Sequence, residues 1–171
     1  MARAFRVSRW NSLLVQLNFN ELRGAYSGRD FIILGGGTSL HSDLARCPDS
    51  AILIGVNHHA PKYYQCDYIA CLDVKAPDWV RAITDSPIIS PLKNADYLVA
   101  KIGFNPINSG IFAIWLANQM GADRIFCCGM NFYRDPVDYV DGSPPVKKQN
   151  KAYNYGHHCQ RLAKSAPVNL N

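Results

Sequence analysis

Along the chain, short apolar runs alternate with polar turns, and the spacing predicts buried strands each followed by a turn and a helix. Residues 31–34 are Phe-Ile-Ile-Leu, and residues 51–57 are Ala-Ile-Leu-Ile-Gly-Val-Asn. Residues 68–74 are Tyr-Ile-Ala-Cys-Leu-Asp-Val, and residues 124–130 are Arg-Ile-Phe-Cys-Cys-Gly-Met. Runs this short and this continuous suit strands covered on both faces. Residues 87–90 and 97–100 predict two further short strands. Between them and the last long run lies 110–120, where Ile111, Phe112, Ile114, Trp115, Leu116 and Met120 leave almost no polar face. That pattern predicts a buried helix. Ser109 is expected to cap its start and Gly121, in a left-handed conformation, to end it. A helix is also predicted over 8–23, with Trp10, Leu13, Leu14, Leu17 and Leu22 on one side, and a shorter one over 77–83. Strands and helices in alternation imply a mainly parallel sheet with helices on both faces. The expected fold class is therefore α/β, a Rossmann-like three-layer domain over 31–171, preceded by an N-terminal helical extension over 1–30.

Composition narrows the partners. The 171 residues suffice for one domain with a substantial core, and 48% hydrophobic with 18% charged is ordinary for a globular chain. A formal charge of +5 suits an anionic small molecule or a phosphate-bearing surface. No polybasic run points to nucleic acid, which is not an expected partner. Six cysteines lie mostly in apolar segments without a CxxC pair. They read as reduced core residues of a cytosolic protein. Cys159, His157 and His158 could assemble a zinc site, but their spacing matches no standard ligand set, so no metal is expected. No convincing signal peptide opens the chain, and no stretch reaches the ~20 apolar residues of a membrane span. The expected location is cytoplasmic. Arg3, Arg6 and Arg9 among apolar positions could touch the inner face of a membrane, although an ordinary solvated helix explains them too. A homo-oligomer is left open.

The candidate chemistry gathers where strands are expected to end. After 31–34 comes Gly35-Gly36-Gly37-Thr38-Ser39-Leu40. A strand running into a glycine turn and a helix lets backbone amides approach a phosphate, with the helix N-terminus adding its positive end. The third glycine of a dinucleotide fingerprint is absent because Leu40 stands there, and no GK[ST] follows, which argues against a P-loop. A glycine turn without ligand is the alternative. Asn57 closes the second strand; its amide suits a base edge or a ribose hydroxyl, or else simply forms the turn. His58 and His59 read as loop residues. Asp73 ends the third strand, where it could contact ligand hydroxyls or cap the next helix. Beyond 124–130 the chain becomes polar, with Asn131, Tyr133, Arg134, Asp135, Asp138, Tyr139 and Asp141 crowded together. In open α/β sheets ligands bind at that end of the strands. A basic loop or lid with Lys147, Lys148 and Lys151 follows, then Tyr153 to His157 opening a C-terminal helix.

Taken together, three of these segments resemble the family-42 bacterial sialyltransferases. That family's Gly-Asn-Gly-Pro-Ser-Leu turn is similar to 35–40. Its Thr-Ser-Gly loop, buried helix and strand ending in Gly-Ile-Asp-Phe-Tyr resemble Asn108-Ser109-Gly110 through Gly129-Met130-Asn131-Phe132-Tyr133, with a second tyrosine six residues on at Tyr139. Its Tyr-Ile-Gly-His resembles Tyr155-Gly156-His157, and Asn57 falls where the family has an asparagine. The resemblance implies metal-independent transfer of sialic acid from a CMP-sugar to a glycan hydroxyl, with no cofactor, in a setting such as lipopolysaccharide biosynthesis. It implies His157 as general base, and Tyr133 and Tyr139 as donors to the departing phosphate. Gly35, Gly36, Gly37, Ser39, Asn57, Asp73, Asn108, Ser109 and Gly110 would hold the nucleotide. Asp73, where that family has an asparagine, also resembles the Asp-containing third strand of the archaeal 6-hydroxymethylpterin diphosphokinases. That second resemblance implies pyrophosphate transfer from ATP with Mg²⁺. A non-catalytic nucleotide-binding protein on the same fold is the third reading.

Overall fold

The computed structural model describes residues 16–100, 102, 106, 108–130, 139–142 and 169–170. In chain order they form β1 (Leu17–Asn18), a 3-10 turn (Phe19–Leu22), β2 (Arg29–Leu34), α1 (Leu40–Leu44) and β3 (Ile52–Val56). A second 3-10 turn (Ala60–Lys62), β4 (Tyr68–Ala70), α2 (Ala76–Arg81), β5 (Ile88–Ser90) and β6 (Tyr97–Leu98) come next. The series ends with α3 (Ser109–Met120), β7 (Ala122–Cys128) and β8 (Asn169–Leu170). The strands make one sheet in the order β1-β6-β5-β4-β3-β2-β7-β8. Every pairing between them is parallel, as the sequence pattern implies.

Alternate residues of each strand feed two cores. Phe31, Ile33, Ile54 and Ile89 pack with α3 on one face, while Ile32, Leu34, Ile69 and Ile88 pack with α1 and α2 on the other. This is the three-layer arrangement. It also explains why the inner stretches of the strands are continuously apolar rather than alternating. α3 lacks a polar stripe because nearly all of its residues are buried. Beyond the sheet, Phe19 packs on Trp115 with ring centroids 5.8 Å apart. The amides of Gly24 and Tyr26 donate to the carbonyls of Gln119 and Met120 at 2.9 Å each, satisfying the helix's last turn. Gly121 ends α3 at φ 97°, as expected, and a Cβ there would sit 2.9 Å from the Ser27 Cα. Both the conformation and the space require glycine.

Two local expectations are corrected. The described part of the helix predicted over 8–23 is instead β1 and a 3-10 turn. Asn18 adopts an extended conformation and breaks any helix there. Its side chain accepts from the Asn20 amide at 2.9 Å, and Glu21 accepts from the Asn18 amide at 3.2 Å. This is a capping box that starts a new turn at Phe19. The apolar spacing survives because Phe19 and Leu22 still face the core, while Leu17 pairs with Tyr97 at the sheet edge. Residues 8–15 of that predicted helix lie outside the described residues, as does the helix expected after Tyr153. The second correction is at α3, whose N-cap is Asn108 rather than Ser109. The Asn108 carboxamide oxygen accepts from the Ile111 amide at 2.9 Å, and Ser109 is already helical. Ser109 faces inward, and its hydroxyl accepts from the Leu72 amide at 3.1 Å.

The strand order reverses at β2. The chain leaves β2 toward β3 on one side, whereas β7 adds on the other. Such a switch point opens a crevice outside the carboxyl ends of the two central strands.

Candidate functional site

Glycines 35–37 leave β2 at that crevice and are held against the end of β7. The Gly35 amide donates to the Cys128 carbonyl at 2.8 Å, and the Gly37 amide to the Gly129 carbonyl at 2.7 Å. Those two amides therefore serve the join between strands. α1, which follows, has five residues, so its dipole adds little at its N-terminus. Ser39 turns its hydroxyl toward Asp43 at 2.7 Å, and the same carboxylate oxygen accepts from the Gly129 amide at 3.0 Å. Burial opposes ionisation of Asp43. The Gly129 amide, the Ser39 hydroxyl and the Arg46 guanidinium outweigh it and hold the carboxyl below its ordinary range. Asp43 thus stays charged and bolts the glycine turn to β7.

Above the turn sits a column of rings. The Tyr139 and His59 rings stack 4.1 Å apart at 21°; His59 and His58 follow at 4.2 Å and 33°; Trp79 meets His58 edge-on at 5.3 Å. Gly36 lies directly beneath. A Cβ on it would come within 2.9 Å of both the His59 Cγ and the Tyr139 Cδ1. Val140 donates its amide to the Gly36 carbonyl at 2.8 Å, and Gly37 and Tyr139 form an antiparallel bridge. The absent side chain at 36 is what lets segment 139–142 lie on the turn.

Segment 139–142 is locked by charge. Asp141, with its side chain 11% exposed, takes the Lys62 ammonium at 2.5 Å and lies 3.3 Å from the His59 Nδ1. Burial pushes the His59 pKa below its ordinary 6.5, aided by the Lys62 charge, while the Asp141 carboxylate pulls the other way. Burial lowers His58 likewise, and the neighbouring His59 adds to it. Both imidazoles are neutral near pH 7. Unfolded histidines bind protons at higher pH than these do, so the stability contributed by the neutral pair is present above about pH 6.5 and declines as pH falls through the lowered values. Asp141→Asn is expected to move the His59 midpoint further down, which an NMR pH titration reads directly. The loss of the Lys62 contact should cost about 1–2 kcal/mol in denaturant unfolding, moderate because Lys62 is 37% exposed. A His59 midpoint that stays put would show that Asp141 does not act on the ring.

The remaining predicted residues close the other side. Asn57, at the end of β3, has φ 54°, a left-handed conformation that asparagine tolerates, and its amide nitrogen lies 3.5 Å from the Asp73 carboxylate. Ser109 ties the start of α3 to the end of β4 through the Leu72 amide. A Cβ on Gly110 would lie 2.7 Å from the Met130 Cε, so α3 and the end of β7 meet there. Gly35, Gly36, Gly37, Asn57, Asp73, Ser109, Gly110 and Tyr139 are therefore brought to one end of the sheet. Asn108 is spent as a helix cap, and the Ser39 hydroxyl is engaged with Asp43. Tyr133 and His157 lie outside the described residues. The sequence reading passes over Asp43 and Lys62, takes His59 for a loop residue and places Asp141 among the polar residues after β7 without assigning it a partner. The signal available was a pair of histidines immediately after a buried strand.

Among the described residues, the Asn57 Oδ1 and the His58 Nδ1 are buried side-chain atoms without a hydrogen-bond partner. Such atoms cost about 1–3 kcal/mol each unless a ligand or water completes them. Among those residues no group of three or more His, Cys, Asp or Glu could hold a metal ion, and no helix is long and apolar enough to cross a membrane.

No protein-family model matches the chain, and no curated protein matches it. Solved structures do. The sialyltransferase CstII from Campylobacter jejuni in complex with CMP superposes with a TM-score of 0.60 at 16% identity, over 84% of this chain and 79% of that one. The same enzyme with CMP-3FNeuAc gives 0.56 at 16% identity, over 82% and 80%. The sialyltransferase CST-II with a trisaccharide acceptor and CMP gives 0.56 at 16% identity, over 83% and 79%. At that identity the likeness is one of fold, and the α/β architecture read from the strand pattern is the one these enzymes share.

Proposed function

We propose that the chain is a glycosyltransferase that takes a sialic acid-like sugar from a CMP-type donor and places it on a glycan hydroxyl without a metal. One observation carries this reading above the others. The ends of β2, β3, β4 and β7 converge with Tyr139 on one crevice, where the carboxamide oxygen of Asn57 is buried and unpaired. Solved structures of like fold include sialyltransferase complexes with CMP, with CMP-3FNeuAc and with a trisaccharide acceptor and CMP. In this chain Gly35, Gly36, Gly37, Ser39, Asn57, Asp73, Asn108, Ser109 and Gly110 would surround the nucleotide. The acceptor oxygen attacks the anomeric carbon, the bond from that carbon to the phosphate oxygen breaks, and CMP leaves. His157 takes the acceptor's proton. Tyr133 and Tyr139 donate hydrogen bonds to the phosphate as its charge grows. A cytoplasmic location with a lipid-linked acceptor, lipopolysaccharide for example, goes with this reading, and the basic start of the chain would then face the membrane.

The test is binding of CMP, UDP, GDP and ATP, each with and without Mg²⁺, by calorimetry and thermal shift. CMP-selective binding that ignores Mg²⁺ is expected. At a hundredfold excess over Kd it adds about 2.7 kcal/mol, a rise of roughly 5–10 °C for a chain of this size. ATP binding that requires Mg²⁺ would replace the proposal with pyrophosphate transfer centred on Asp73. Binding of none of the four would overturn both.

A further inference from the structure

Two thiols on the far side of the glycine turn are placed for chemistry that the crevice does not use. Cys128 is the last residue of β7 and 1% exposed; Cys47 lies in the turn after α1, half-buried. Their Sγ atoms are 3.5 Å apart, although the residues are 81 positions apart in the chain. Cys47 also lies 3.4 Å from the Asp43 carbonyl, on the same turn whose carboxylate holds the Gly129 amide and the Ser39 hydroxyl. We propose that Cys47 and Cys128 form a reversible disulfide when the protein meets a low-molecular-weight disulfide oxidant, clamping the turn after α1 to the end of β7.

The geometry needs one short movement. A disulfide has its sulfurs about 2.05 Å apart, so the pair must close by roughly 1.5 Å. Cys128 is fixed by parallel pairing with Leu34, and its carbonyl holds the Gly35 amide. Cys47 belongs to a turn and supplies the motion. It is also the thiol that solvent reaches. The Cys47 thiolate attacks a sulfur of the oxidant, forms a mixed disulfide and expels one small thiolate. The Cys128 thiolate then attacks the Cys47 Sγ and expels the second. Two protons and two electrons leave the protein, and the oxidant departs as two thiols. Burial raises the Cys128 thiol above its ordinary pKa, with the neighbouring Cys47 adding to the effect, so the second step quickens as pH rises. A reducing environment keeps both as thiols.

The sulfur pair reports on the glycine turn because Asp43 stands between them. It bonds Gly129, the residue after Cys128, and Ser39, the residue before α1.

The test is equilibration of the full chain in oxidised and reduced glutathione at graded ratios, followed by intact mass and peptide mapping under non-reducing conditions. The expected result is loss of the mass of two hydrogens, one linked peptide pair containing Cys47 and Cys128, and reversal by reductant. Because the bond closes a long loop, unfolding should shift upward by on the order of 5–10 °C. Cys47→Ser, at a half-buried turn, should abolish the linked pair, while Cys127→Ser should retain it. A stable glutathione adduct at Cys47 without closure would overturn the proposal, as would pairing of either thiol with another cysteine. None of these readouts involves nucleotide or sugar transfer.

Discussion

Replacing His157 with alanine is expected to abolish measurable sugar transfer, a loss of about 10²–10⁴-fold, while CMP affinity stays within a few-fold of the unsubstituted chain. In barrier height that loss is roughly 3–5 kcal/mol. Holding the nucleotide and taking the proton are separate roles within one crevice. The nucleotide would be held by residues at the ends of β2, β3 and β4 and at the start of α3, whereas the acceptor's proton would go to a separate group. A base contributes only when that proton moves, so its removal should appear in turnover and not in binding. Single-turnover CMP release from a CMP-sugar, alongside calorimetry with CMP, measures both. Tyr133→Phe and Tyr139→Phe give the intermediate case, each slowing transfer by roughly ten- to a thousandfold if one transition-state hydrogen bond is lost. Full activity in the His157 variant would remove that residue as base. Attention would then pass to His59, an imidazole in the described crevice with Asp141 at its Nδ1.

Phe112→Ala is expected to be the most destabilising single substitution in the hydrophobic interior, by about 3–5 kcal/mol. Phe112 is fully buried near the start of α3, with its ring close to parallel with that of Trp115 at 6.1 Å. It belongs to the cluster that joins α3 to Phe31, Ile33 and Ile54 of the sheet. Truncation removes transfer energy and leaves a cavity between two rigid layers that cannot close on it. For a domain with about 5–15 kcal/mol of total stability, this is a large share, equivalent to roughly 10 °C in midpoint. Chemical denaturation reads it, with Phe112→Leu as the milder comparison. A loss below about 1 kcal/mol would mean that α3 does not pack as described.

The elements legible in the sequence are those that carry a long, continuous apolar run. β2, β3, β7 and α3 each carry an apolar run with no competing local signal, and Gly121 stops α3 where a left-handed residue is needed. Residues 16–23 were harder because a two-residue strand followed by a 3-10 turn spaces its apolar positions much as a helix does. What separates the cases is Asn18, together with a pairing partner at Tyr97 far along the chain. The slip from Ser109 to Asn108 is of another kind, since adjacent residues were both capable of capping. Tertiary pressure chose Asn108 by using the Ser109 hydroxyl for Leu72. The lock on segment 139–142 was least legible. Asp141 meets Lys62 and His59 from 79 and 82 positions away. Nothing local to any of the three announces the other two, and the crowd of polar residues after β7 pointed to the right end of the sheet without saying which side chains would meet.

The position of β2 in the sheet has a consequence for synthesis. Leu34 pairs on one side with Gly55 and on the other with Cys128. During translation the first neighbour emerges almost at once, but the second follows only after roughly ninety more residues. At about 5–20 residues per second, one edge of this strand, whose last four residues are buried, stays open for on the order of 5–20 s. Throughout that interval the nascent chain offers an unpaired hydrophobic edge to anything nearby, and the glycine turn lacks the β7 end and Tyr139 that complete it. The crevice is thus among the last parts of the molecule to exist, and a ribosome-bound fragment ending before β7 should be sticky and unable to bind its ligand.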